Sequence, residues 1–115
     1  MYKTPIFEVS MSFPTSLVYN EKDYNTDDAS AHFIYFSDGS TIIISTGMIK
    51  FAIDYYDSDV YSSHSKTIKC KLNNSLWRRD NYKFINLYYN LTDFSQEILF
   101  DRIFDNAFIK VNYCP

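Results

Sequence analysis

The sequence predicts an α+β fold: a predominantly antiparallel sheet of about six or seven strands, curled or folded into a sandwich, with one helix near residues 92–106 at its C-terminal end. Three observations carry this. Ala31 to Tyr56, AHFIYFSDGSTIIISTGMIKFAIDYY, alternates apolar and polar residues around turn signals at Asp38-Gly39 and Thr46-Gly47. Lys66 to Leu72 alternates strictly, with Ile68, Cys70 and Leu72 against Thr67, Lys69 and Lys71. Only Thr92 to Asn106 shows a good helical stripe. Period two marks half-buried strands and period 3.6 marks amphipathic helices.

In chain order, Pro5–Met11 reads as a short strand, and Thr15–Tyr19 beyond Pro14 as one pairing back on it. Proline cannot donate to a ladder, so these belong at an edge or corner. Asn20–Ser30 is polar and aperiodic and reads as a loop. Ala31–Ser37, Ser40–Thr46 and Met48–Tyr56 then form a three-strand meander. Asp-Gly suits a two-residue type I′ turn, which needs positive φ at both central positions. Ile42-Ile43-Ile44 is apolar on both faces, which places that strand centrally and covered on each side. Asp57–Ser65 reads as a second polar loop, and Asn73-Asn74-Ser75 ends the strand before it. Leu76–Leu91 fits a helical stripe and an alternation almost equally. Its aromatic and β-branched content favours a strand over Tyr82–Asn90, with Ile85, Leu87, Tyr89 and Leu91 on one face. For the helix, Thr92 or Asp93 is the N-cap, Gln96 completes a capping box and Asn106 supplies a left-handed cap. Phe94, Ile98, Leu99, Phe100, Ile103 and Phe104 make its inner stripe, with Ser95, Glu97, Asp101, Arg102 and Asp105 outside it. Ala107–Tyr113 returns as a strand. The alternation predicts burial for Ile34, Ile43, Phe51, Ile53, Ile68, Leu72, Ile98 and Ile103.

At 115 residues the chain forms one domain with a core of its own. Aromatics are 19% of it, while Gly and Pro number 2 and 3, which excludes a low-complexity or disordered chain. No apolar run approaches the roughly 20 residues that span a bilayer, and MYKTPIFEVS lacks the apolar core of a signal peptide. A cytoplasmic protein with no membrane partner is expected, with Cys70 and Cys114 as thiols rather than a bridge.

Catalytic and metal signatures are thin. His32 shares a strand face with Ile34 and Phe36 and reads as structural. His64 lies among serines, but both glycines are used in turns, so no glycine-rich oxyanion hole is at hand. Asp54, Asp57 and Asp59 lack the glycine and distal glutamate of a calcium loop. No paired C-x-x-C, H-x-x-x-H or phosphate-cradling loop occurs. Neither an enzyme, a cofactor nor a metal is expected.

Charge is uneven. Residues 1–63 carry −6, residues 64–83 carry +5 and residues 84–115 carry −2, a pattern that speaks to partners. Tyr, Trp and Arg are the residues that anchor protein interfaces. Exposed tyrosine on an acidic surface suits a basic protein partner, and the candidate contacts are Asp23, Asp27, Asp28, Asp54, Tyr56, Asp57 and Asp59. The chain resembles small acidic immunity proteins that neutralise bacterial toxins, and phage-encoded inhibitors, in size, acidity, aromatic content and lack of catalytic groups. That resemblance implies a non-enzymatic inhibitor that blocks a partner's surface. A nucleic-acid module using Lys69, Lys71, Trp77, Arg78 and Arg79 is the alternative, because basic residues interleaved with an aromatic suit single strands. A homo-oligomeric structural or ligand-binding β protein is the third reading.

Overall fold

The computed structural model describes residues 2–3, 7–26, 29–46, 49–55, 60–64, 66–72, 74–82 and 85–111. Ten strands run in order: β1 (Tyr2–Lys3), β2 (Phe7–Ser10), β3 (Val18–Asn25), β4 (Ser30–Phe36), β5 (Thr41–Thr46), β6 (Val60–His64), β7 (Thr67–Leu72), β8 (Ser75–Asn81), β9 (Ile85–Leu91) and β10 (Phe108–Val111), with helix α1 (Glu97–Asp105) between the last two. Every pairing is antiparallel, in a seven-stranded sheet ordered β3-β4-β5-β9-β8-β7-β6 and a three-stranded sheet ordered β1-β2-β10. The α+β class and the single C-terminal helix are as the sequence predicts.

The large sheet has two cores. On one face Ile34, Phe36, Ile42, Ile44, Leu76, Ile85, Leu87, Tyr89 and Leu91 meet Phe100, Ile103 and Phe104 of α1 and Val9 of β2. On the other, Ile43, Cys70, Leu72 and Tyr88 meet Ile53, with Ile49 and Phe51 packed alongside. Burial on both sides explains why β5 carries three consecutive isoleucines. Ile34, Ile43, Ile53, Leu72 and Ile103 are buried as predicted, whereas Phe51 and Ile68 are only half-buried and Ile98 is 75% exposed.

Among the described residues the third meander strand is absent: 49–51 are irregular, and Ala52–Tyr55 is a 3-10 turn. Asp54 is the reason. Its carboxylate accepts the Phe51 N–H at 2.8 Å, and its own N–H donates to the Phe51 carbonyl at 2.9 Å. A side chain that binds its own backbone competes with a ladder. β5 instead pairs with β9. Both expected loops are partly edge strand, β3 covering the 20–25 part of one and β6 lying within 57–65. β3 beyond Val18 is exposed along its whole length, so it leaves no period-two trace in the sequence. Of the strand expected over Thr15–Tyr19, Thr15–Leu17 is a 3-10 turn, while Val18 and Tyr19 open β3, which pairs with β4 rather than β2, and 76–91 divides between β8 and β9.

Two cap and turn details also differ. Asp93 caps as expected, accepting the Ser95 N–H at 3.0 Å, but a 3-10 turn (Phe94–Gln96) precedes α1, and Asn106 closes it at φ −101° rather than left-handed. The β4–β5 turn has three residues. The Gly39 N–H donates to the Phe36 carbonyl at 3.1 Å, the Phe36 N–H donates to the Ser40 carbonyl at 2.9 Å, and only Gly39, at φ 92°, has positive φ. This is a type I turn followed by a left-handed glycine. A Cβ on Gly39 would lie 2.9 Å from Thr92 Oγ1. Gly39→Val should therefore cost roughly 1–3 kcal/mol from backbone strain alone. A variant melting at the wild-type temperature would show that Gly39 is not held in this conformation.

Candidate functional site

Among the described residues the cations of 66–82 do not gather on one solvent face. Lys69 and Arg78 are cross-strand neighbours on β7 and β8, on the sheet face that α1 covers. The helix brings Glu97, Asp101 and Asp105 at intervals of four, one row along its surface. Lys69 pairs with Glu97 and, at 2.7 Å, with Asp101. Arg78 is buried and forks onto Asp80, Nε at 2.8 Å and Nη2 at 3.0 Å, while reaching Asp101 at 3.0 Å and Asp105 at 2.9 Å. Tyr89 donates its hydroxyl to Asp101 at 2.7 Å, and Thr67 donates to Asp80 at 2.8 Å. Burial opposes the charge on Asp101, yet its bonds from Lys69, Tyr89 and Arg78 hold its carboxyl below the usual range. Of the remaining cations, Arg79 pairs with Asp54 at 2.7 Å on the opposite face, and Lys71 sits 5.6 Å above the Phe94 ring.

The acidic candidates are also dispersed. Asp54 is turned inward, taking the Arg79 guanidinium on one oxygen and the Tyr88 hydroxyl, at 2.9 Å, on the other. It fastens the 49–55 segment to the sheet. Burial first, and then this carboxylate, pushes the Tyr88 phenol up from its ordinary pKa. Asp23 stays on the surface of β3, its Oδ1 2.6 Å from His32 Nδ1, while Glu21 lies 2.9 Å from Nε2. His32 is thus held between two carboxylates of the neighbouring strand, the structural role expected of it. Asp27, Asp28, Tyr56, Asp57 and Asp59, like Gly47 and Cys114, lie outside the described residues. Among the described residues no group of three or more His, Cys, Asp and Glu side chains could hold a metal, and no helix is long and apolar enough to cross a membrane.

What remains open is a trough on the sheet face away from α1. Tyr35 pairs with Thr41, Thr41 with Asn90 and Asn90 with Trp77, so these four form one row across β4, β5, β9 and β8. Tall aromatic rings stand at both ends of that row and two short polar side chains lie between them. Phe33 and Ile43 line the trough in the next row, and Phe51 walls it from above the sheet. Phe33 stacks on Tyr35 at 6.1 Å and meets Phe51 edge-on at 5.9 Å. The space measures about 270 Å³. Tyr19, 72% exposed, extends the aromatic rim from β3 with its ring 6.5 Å from Tyr35.

Of the trough residues only Trp77 was a sequence candidate. The surplus of aromatics was the legible signal, but its focus depends on β5 pairing with β9, which brings Thr41 opposite Asn90 from a sequence separation of 49. No protein-family model matches the chain, and comparison with curated proteins and with solved structures gives no significant similarity.

Proposed function

We propose that this chain is a non-enzymatic protein-binding domain whose partner seats a side chain in the trough between Tyr35 and Trp77. The trough itself carries this reading. It is wide, apolar-walled and open, with rigid aromatic anchors at both ends and an amide at its floor that can bond a partner's backbone. Such anchors, in a patch whose surroundings exclude water, are where interface energy concentrates. Arg79 and Asp54, on the same sheet face, are bonded to each other.

The net charge of −3 favours a basic partner through the rate of encounter. The simplest biological form of this reading is an inhibitor that covers the working surface of such a partner, as an immunity protein covers a toxin. Affinity capture from the source cell with the wild-type chain, Trp77→Ala and Tyr35→Ala tests it. A partner retained by the wild type should bind each variant about 30-fold or more weakly, the effect of losing an anchor worth about 2 kcal/mol. Its own activity should fall when the wild-type chain is added in equal amount. Undiminished binding by both folded variants would remove the trough from the interface.

A further inference from the structure

We propose that an extended segment of the basic partner adds as a further strand to the outer edge of β3, a docking mode that rests on the protein-binding reading above. β3 ends the seven-stranded sheet, and among the described residues β4 is its one strand neighbour. The phase of that ladder follows from its two ends. The Thr26 N–H donates to the Ala29 carbonyl, and the Ser37 N–H donates to the Leu17 carbonyl, each at 2.8 Å. Odd-numbered residues of β4 therefore bond towards β3, and their partners Asn20, Lys22 and Tyr24 bond inward. In an antiparallel ladder the alternate residues face the other way. Glu21, Asp23 and Asn25 thus direct their backbone N–H and carbonyl groups away from the sheet. Among the described residues only the first of these amides has a local acceptor, Asn20 Oδ1 at 2.9 Å.

Natural edges are blunted by shortness, proline, bulges or lysine. β3 runs for eight residues without proline, and its one irregularity lies between Val18 and Asn20. From Glu21 to Asn25 the edge is regular, with Lys22 as its single lysine. This is the template that strand addition uses.

Side chains select the occupant. Antiparallel pairing of two copies must match residues of the same face with outward backbone. The fullest overlap of Glu21–Asn25 places Asp23 opposite Asp23, and sliding it towards the Glu21 end places Glu21 opposite Asp23 or Glu21, and like charges directly opposite destabilise a pair. The Glu21 and Asp23 side chains remain 54% and 59% exposed while sharing one imidazole, so lysine or arginine opposite them is favoured. On the trough face β3 presents Asn20, Lys22 and Tyr24, and the exposed Tyr24 ring favours an apolar neighbour. The fitting segment therefore alternates basic and apolar residues, its apolar side facing the trough.

The probe is a capped peptide of alternating lysine and valine, added to the full chain while amide hydrogen exchange is followed by NMR. Exchange at Asp23 and Asn25 should slow by about tenfold or more, and a glutamate–valine peptide should leave both unchanged. Asp23→Pro, which removes an outward N–H without taking a bond from β4, should abolish the effect, and Asn25→Pro serves if that variant does not fold. Asp23→Thr, which keeps the N–H, should only weaken it. Unslowed exchange at both amides, or equal slowing by the acidic peptide, would overturn the proposal. Slowing that depends on protein concentration without peptide would overturn it in favour of a second copy. A captured partner that binds Asp23→Pro as tightly as wild type but fails on Trp77→Ala would refute the edge and leave the trough standing.

Discussion

Arg78→Ala is expected to destabilise this protein by about 3–5 kcal/mol, the cost of removing one partner from a buried ion pair. Asp80 is 0% exposed and takes both of its guanidinium contacts from Arg78, and among the described residues the Thr67 hydroxyl is the one side-chain donor that remains to it. Water cannot replace the missing fork at that depth, and Asp101 and Asp105 each lose a donor in the same step. Arg78→Lys should recover little, because an ammonium cannot match the bidentate geometry. Arg78→Met combined with Asp80→Leu should recover most of the loss, since an apolar pair of similar volume removes the buried Asp80 charge together with its partner. Thermal unfolding reads all three variants, with a fall of about 10–20 °C expected for the first. A solvent-facing basic surface would behave in the opposite way, with Arg78→Ala leaving the melting temperature unchanged.

Acid titration provides a second check on the same network. The Asp101 carboxyl is held below its ordinary value in the folded chain. It therefore adds stability at pH values above about 4, the ordinary carboxylate range, and that stability is lost as pH falls through the depressed folded value. In Arg78→Ala one of the groups holding Asp101 down is gone, so the loss over that acidic window should be smaller than in the wild type. An identical acid dependence would mean that Arg78 does not support the Asp101 charge.

The sequence shows the elements that bury a face. Alternation marks β4 in Ile34 and Phe36 and β7 in Cys70 and Leu72, an unbroken apolar run marks β5 in Ile42 to Ile44, and β9 follows from the aromatic and β-branched content of 82–90. β3 and β6 are edge strands, and a strand such as β3 that is wet on both faces has no periodicity to read. The 49–55 segment failed for a different reason. Ile49, Phe51 and Ile53 alternate because they lie flat over a sheet face, and packing of that kind has the spacing of a strand without its hydrogen bonds. At the candidate site, aromatic surplus was visible but its location was not. Trp77 and Tyr35 stand 42 residues apart in the chain, and only the order β4-β5-β9-β8 makes them the two ends of one row. Charge misled in a similar way. Lys69 and Arg78 read as a surface stretch because their counter-ions Glu97, Asp101 and Asp105 arrive from a helix about 30 residues later.

That helix supports the second large prediction. Phe104→Ala should cost about 3–5 kcal/mol, as for an aromatic in a packed core, while Ile98→Ala should stay within about 0.5 kcal/mol of wild type. The apolar pattern alone predicts burial for both. Stepping about 100° per residue, Phe100, Ile103 and Phe104 occupy one arc of α1, and Glu97, Asp101 and Asp105 continue it without a break. Ile98 falls just beyond the acidic end of that arc. The helix could turn to bury Ile98, gaining about 1.5–3 kcal/mol of apolar burial. Doing so would draw the acids away from Lys69 and Arg78, and an unpaired buried cation costs more than that gain. The observed register keeps the ion pairs, leaves Ile98 75% exposed, and sets the Phe104 ring 5.2 Å from Tyr89 with the Arg78 guanidinium 5.4 Å from its centre. Chemical denaturation of the two variants separates the registers. Equal losses for Ile98→Ala and Phe104→Ala would show that hydrophobic pattern rather than charge sets the rotation of α1, whereas a loss confined to Phe104→Ala establishes that the buried cations orient the helix.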